Sequence, residues 1–204
     1  MTTTISIIGS GNMATAIGTR AVNHGHTVEL LSRNSAKAQA LADQIGDGAT
    51  VGTYGEIPKG DIVILAVLYG GVVDAVSTYG DALAGKILVD ISNPFNEDAS
   101  GLVTPSSAAQ EVAAVAPDSV HVLKGFNTIF GHVLAKGTPL DAFIAGDSAE
   151  AKATLGTFLA SLELRPLDAG GLQAAPLLEQ AGLLLMGLAR NGAGFELALG
   201  AEVH

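Results

Sequence analysis

The stretch Ile5-Ser6-Ile7-Ile8-Gly9-Ser10-Gly11-Asn12-Met13-Ala14 decides the fold. Its first four residues read as a short strand buried on both faces, and Gly9 ends it. Gly9 to Ala14 then fit G-x-G-x-x-A at the start of a helix. Each small residue has a mechanical role. Gly9 makes the tight turn, Gly11 lets a pyrophosphate approach the backbone, and Ala14 lets the helix lie close to the strand. The helix N-terminus adds free N–H groups and a partial positive charge for that pyrophosphate. A glycine-rich turn alone can be a purely structural corner. Here the strand before it and the helix after it supply the context a dinucleotide site requires.

From that turn the chain continues as alternating strands and helices. A helix over Asn12–Asn23 carries Met13, Ile17 and Ala21 on one side, and Gly25 closes it. Thr27–Leu31 is the next strand, and Asn34 or Ser35 caps a helix reaching Ile45. Ile62–Val67 and Lys86–Ile91 are further buried strands, with a helical pattern from Gly71 to Leu83 between them. Pro94, Pro105 and Pro117 punctuate the region after them, where only Ser107–Ala116 reads as helix. Strands are expected at Val120–Leu123, Ala142–Ala145 and Glu163–Leu167, and helices at Ala149–Leu162 and Leu172–Ala189. This succession predicts an α/β fold of the Rossmann type, doubly wound on a mostly parallel sheet. With no repeat and no flexible linker, residues 1–204 read as one domain, with a C-terminal extension from about residue 142 that ends in a long helix.

The end of the second strand selects the cofactor. An NAD site usually places an acidic residue there for the ribose 2′-hydroxyl. This chain has Ser32-Arg33 instead, with Lys37 one turn into the next helix. A hydroxyl, a guanidinium and an ammonium at that point suit a 2′-phosphate, so NADP(H) is the expected cofactor. Glu29 lies inside the strand, out of register for the acidic role.

Composition narrows the partners. Asp and Glu number 20 against 10 Lys and Arg, a formal charge of −10 that argues against broad contact with nucleic acid or an anionic membrane. The chain has no cysteine, so disulfides, thiolate metal sites and a cysteine nucleophile are excluded. With no basic leader before Ile5, a cytoplasmic protein is expected. Ala and Gly together make up 59 of 204 residues, which suits close helix–sheet packing and backbone near a ligand.

Several further segments carry a family resemblance: Asp90-Ile91-Ser92-Asn93-Pro94, Lys124-Gly125-Phe126-Asn127-Thr128-Ile129 and Leu164-Arg165-Pro166-Leu167-Asp168-Ala169-Gly170, together with the glycine turn and Ser32-Arg33. On these the chain resembles the coenzyme F420-dependent NADP oxidoreductases and their bacterial NADPH-dependent relatives. It is also similar to the cytosolic reductase domain of metalloreductases, which pass hydride from NADPH to a flavin. The resemblance implies hydride transfer between NADP(H) and a planar acceptor, with the deazaflavin F420 as first choice and reduction of a flavin, a metal or a small carbonyl or imine as the alternative. It implies that Ser10, Asn12 and Met13 hold the pyrophosphate side, and that Ala66, Val67 and Leu68 line the adenosine and ribose path. Asn93 and Pro94 would approach the nicotinamide, with Asn127 closing the site. Where deazaflavin-using members commonly have a proline and an aromatic, this chain has Leu68-Tyr69.

No histidine pair among His24, His26, His121, His132 and His204 has metal-ligand spacing, so no metal is expected. No dedicated catalytic side chain is expected either; His132 and Tyr69 are the candidates a carbonyl reductase would need. A binding protein that senses NADP(H) without turnover is the alternative class. Glu56, Asp61, Asp74 and Asp81 read as a solvated rim. The 34 residues after Gly170 leave room for one helix and a tail. That helix has leucines around most of its circumference, so a homodimer through it is expected.

Overall fold

The computed structural model describes residues 2–202; His204 and the last residues of the C-terminal extension lie outside the described residues. Its strands are β1 (Thr4–Ile8), β2 (Thr27–Leu31), β3 (Ala49–Val51), β4 (Ile62–Leu65), β5 (Ile87–Asp90), β6 (His121–Lys124), β7 (Leu140–Gly146) and β8 (Leu164–Asp168). They form one sheet in the order β3-β2-β1-β4-β5-β6-β7-β8. The pairs from β3 through to β6 are parallel. β7 meets β6 antiparallel over two residue pairs, Leu123 with Gly146 and Lys124 with Ala145, and β8 runs parallel to β7. The sheet is Rossmann-like and mostly parallel, with helices on both faces.

Side-chain alternation along each strand builds two cores. Ile5 and Ile7 face a layer made by α1 (Asn12–Asn23), α2 (Ser35–Ile45) and α6 (Ala149–Ser161). Ile8, Val63 and Leu65 face the other layer, with α3 (Val72–Tyr79) and α4 (Ala108–Val115). The polar Ser6 is fully buried on that face because its hydroxyl donates to Glu29 at 2.7 Å. Glu29 also accepts the Lys59 N–H at 2.8 Å, so this carboxylate is consumed inside the sheet.

Local chemistry sets the helix ends. Asn34 caps α2 by accepting the Lys37 N–H at 3.0 Å, and Ser107 and Ser148 do the same for α4 and α6. Gly25 takes φ +79 after α1, and its N–H donates to Val22.

The structure corrects four expectations. The short strand β3 was not expected; three half-exposed residues show no usable periodicity. The strand read as Ile62–Val67 ends at Leu65, so Ala66 and Val67 lie beyond its carboxyl end. The helix read as Gly71–Leu83 is an α-helix only to Tyr79, broken at Gly80 where φ is +46. A one-turn helix, α5 (Gly131–Leu134), comes after β6 where none was expected.

The last helix, α7 (Ala175–Leu188), is preceded by one 3-10 turn. The stretch Leu172–Ala193 is long and apolar enough to pass for a membrane span by composition, with mean hydropathy 1.3. In the fold Leu172, Leu178 and Leu185 of this stretch are buried, and Leu178 packs with Ala145 of β7.

Candidate functional site

The glycine turn lies where three strands converge. Gly9 donates its N–H to Leu31 at 2.8 Å, and Ala66 donates to Ile8 at 2.8 Å. A Cβ on Gly9 would sit 2.1 Å from the Ala66 carbonyl oxygen, and its φ is +134. Only glycine fits. Gly11, by contrast, has open space around it and caps α1 with no side chain, so the first-turn N–H groups stay unclaimed. That leaves an electropositive backbone end aimed at the cleft.

At the end of β2, the Ser32 hydroxyl accepts the Asn34 N–H at 3.2 Å and lies 3.3 Å from the Ser10 hydroxyl, linking the two turns. Arg33 and Lys37 are exposed, and neither takes part in an ion pair among the described residues. Both face a cleft of about 670 Å³. Gly9, Ser10, Gly11, Ser32, Arg33, Lys37, Ala66, Val67 and Leu68 all line it. Tyr54, Gly70, Gly71 and Asp74 line it too, and sequence reasoning missed them. Asp74, read as part of a solvated rim, therefore borders the cleft, while the other three rim carboxylates do not. Tyr54 packs edge-on against Tyr79, a tertiary contact with no local signal.

Asn12, Met13, Asn93, Pro94 and Asn127 lie outside that cavity. Asn93 and Asn127 each stand three residues beyond a strand end, after Asp90 of β5 and Lys124 of β6, which are register partners. The two amides bond reciprocally: Asn93 Nδ2 donates to the Asn127 carbonyl at 2.9 Å, and Asn127 Nδ2 donates to Asn93 Oδ1 at 3.0 Å. Asn127 Nδ2 also donates to the Leu178 carbonyl of α7 at 2.8 Å. Its Oδ1 is buried with no hydrogen-bond partner among the described residues. The turn needs Phe126 at φ +57, a conformation that costs a non-glycine residue roughly 1–3 kcal/mol. Met13 packs close to Gly131 at the start of α5, where a Cβ would lie 3.2 Å from its sulfur.

Beneath the amide pair is a buried charge cluster that sequence reasoning also missed. Lys124 Nζ donates to Asp90 Oδ2 at 2.7 Å, Glu179 Oε1 at 2.6 Å and the Ser92 carbonyl at 2.5 Å. All three ionisable side chains are completely buried. Burial pushes the Glu179 carboxyl above the usual range, against the pull of Lys124. One signal was available: Glu179 is the sole charged residue between Leu172 and Ala189.

The two candidate proton donors are both engaged. The Tyr69 hydroxyl donates to Glu111 at 2.9 Å, and burial and then that carboxylate hold its pKa above the ordinary value. His132 Nε2 lies 2.7 Å from the Phe195 carbonyl, and its ring stacks on Phe130.

This parallel sheet, with its glycine turn, uncapped helix end and cleft beyond the strand ends, defines a Rossmann-type dinucleotide-binding protein. Comparison with known proteins narrows the class. Residues 4–94 match the family model described as NADP oxidoreductase, coenzyme F420-dependent. It is 33% identical over 186 residues to Metalloreductase STEAP3 of Rattus norvegicus, covering 89% of this chain and 37% of that protein. The chain thus spans little more than a third of that relative. A solved structure of a candidate F420-dependent NADP reductase from Arthrobacter sp. FB24 shares the fold at TM-score 0.83, with 22% identity over 97% of this chain and 99% of that one. An imine reductase from Aspergillus terreus, solved with NADPH4 and dibenz[c,e]azepine, aligns at TM-score 0.72 and 26% identity. That alignment covers 96% of this chain and 64% of that one.

Proposed function

We propose that this chain binds NADP(H) beyond the carboxyl ends of its parallel strands and moves hydride between it and a planar redox acceptor. The deazaflavin F420 is the first acceptor, and a flavin is the next. One observation carries the reading: Ser32, with Arg33 and Lys37 outside any ion pair among the described residues, stands at the end of β2, where the nearest strand carboxylate, Glu29, is already spent on Ser6 and Lys59. A 2′-phosphate fits that charge; a bare 2′-hydroxyl would lack its acidic partner. NADP(H) supplies the hydride when bound.

The chain's own residues do the placing. Gly9, Ser10, Gly11 and the first turn of α1, with Asn12 and Met13, receive the pyrophosphate. Ala66, Val67 and Leu68 line the adenosine side. Asn93 and Asn127, three residues beyond β5 and β6, would stand on the nicotinamide side together with Pro94. Since Tyr69 and His132 are tied to Glu111 and Phe195, orientation and exclusion of water do the work, with no dedicated proton donor. The absence of cysteine suits a reducing compartment, the cytoplasm. Two copies would associate through the exposed leucines of α7.

An NADPH-oxidation panel with deazaflavin, flavin, quinone and cyclic imine acceptors tests the reading. Turnover is expected with the first or second. Turnover only with the imine would make this a proton-assisted reductase. NADPH binding without oxidation by any acceptor would make it a sensor.

A further inference from the structure

The exterior of α7 gives it little reason to sit in one rotation. Leu178 and Leu185 pack inward, but Leu177, Leu184 and Leu188 line another face of the same helix. Apolar burial alone is nearly as well served by either face. A buried polar group is what breaks such a tie, because any other register strands it without partners. Glu179 is the sole charged side chain of α7, and it is completely buried. Its Oε1 accepts from Lys124 Nζ at 2.6 Å and from the Ala108 N–H of α4 at 3.0 Å.

The residues around it face the same junction. Leu178 offers its carbonyl to Asn127 Nδ2. Gly182, one turn on, lies so close to Asn93 that a Cβ there would be 2.9 Å from Asn93 Oδ1. Rotating α7 by one residue, about 100°, would break the Glu179 anchor, the Leu178 bond and the Gly182 fit together. Three of the buried polar atoms with no hydrogen-bond partner among the described residues belong here: Asn127 Oδ1, Thr128 Oγ1 and Glu179 Oε2.

We propose that Glu179 is a positioning residue for the nicotinamide side of the site, beside the cleft: through Lys124 and the Ala108 amide it locks α7 in the register that holds the Asn93–Asn127 pair. The proposal rests on the NADP(H) reading, and the probes separate the two. Adenosine 2′,5′-bisphosphate occupies only the Arg33 end, whereas NADPH reaches the amide pair as well.

Dissociation constants for both probes should be measured on the full chain by titration, with the emission of bound NADPH recorded. In Glu179→Leu, the ratio of the NADPH constant to the bisphosphate constant should rise about tenfold, as expected for losing a hydrogen bond to a charged group. Bound NADPH emission should move toward that of free NADPH. Glu179→Gln keeps an acceptor oxygen for Lys124 and Ala108 and should stay within about threefold of the parent. An unmoved ratio, or equal weakening of both probes, would overturn the proposal. Should Glu179→Leu not fold, hydrogen exchange on the parent chain decides. NADPH, but not the bisphosphate, should slow the amides of residues 176–186, and equal protection by both overturns the proposal. A parent chain that binds neither probe overturns the NADP(H) reading and this inference with it.

Discussion

Arg33 is the residue on which cofactor choice turns. Its guanidinium is exposed at the cleft edge, free of ion pairs among the described residues, so no internal partner must be given up on binding. Charge-assisted bonds to phosphate contribute roughly 1.5–3 kcal/mol each. Arg33→Ala should therefore weaken NADPH about tenfold or more and leave NADH nearly unchanged, as read by fluorescence titration; equal losses would show that Arg33 does not read the 2′-phosphate. His26 plays a purely structural part at the same scale. Its Nδ1 accepts the Thr3 N–H at 3.1 Å, and its Nε2 bonds Ser161 Oγ at 2.8 Å, an arrangement that needs the neutral ring. Burial lowers its pKa. The unfolded chain then takes up a proton more readily, so the stability from His26 is complete above about pH 6.5 and is lost as pH falls through the lowered folded-state value. Urea midpoints measured from pH 8 to 5 should drop in the parent chain and drop less in His26→Gln.

Elements are held in place by contacts that few residue types can make. Arg20 of α1 shows this: Nε and Nη1 donate to the Leu162 and Leu134 carbonyls at 2.7 and 3.1 Å, and Nη2 to Thr138 at 2.9 Å. One guanidinium thus ties α1 to α5 and to the chain after α6. Gly146 lets β7 turn antiparallel beside β6, since a Cβ there would meet Leu123 Cδ2 at 2.1 Å. The sharpest case joins β1 to α1. Gly9→Ala would drive a methyl group into the Ala66 carbonyl at a φ that L residues avoid. That should cost about 1–3 kcal/mol of unfolding free energy, measured by denaturant titration. Dinucleotide binding should fall further than stability, because relief of the clash displaces Ala66 at the cleft wall.

Across the whole molecule, α7 has one face on the sheet and one in solvent. Leu177, Leu184 and Leu188 are 63%, 56% and 45% exposed, spaced as a continuous stripe, with Ala181 between them. Exposed leucines aligned in this way favour burial against a second copy. Light scattering at micromolar concentration should report a dimer of the 20.5 kDa chain, and Leu184→Glu should return it to a monomer. A monomeric parent chain would overturn the expectation. The stripe and the Glu179 anchor lie on different faces, so the dimer test and the nicotinamide test are separable.

The parts of this protein legible in its sequence are those governed by neighbours along the chain. The strand-turn-helix at Gly9, the cap at Asn34, and the basic residues after β2 all arise from local rules of period, φ and hydrogen bonding. The parallel order comes from the alternation of strand and helix. Weak local signals were lost: β3 is three residues long, and α5 is one turn. Other features need residues far apart in the chain to meet, and only the tertiary structure decided them. Tyr54 and Asp74 reach the cleft because the loop after β3 and the first turn of α3 fold beside it. Lys124, Asp90 and Glu179 come from three elements, and each alone reads as an ordinary charge. Their meeting in the core reflects the cost of burying an ion without partners, which only a complete three-dimensional arrangement can offset.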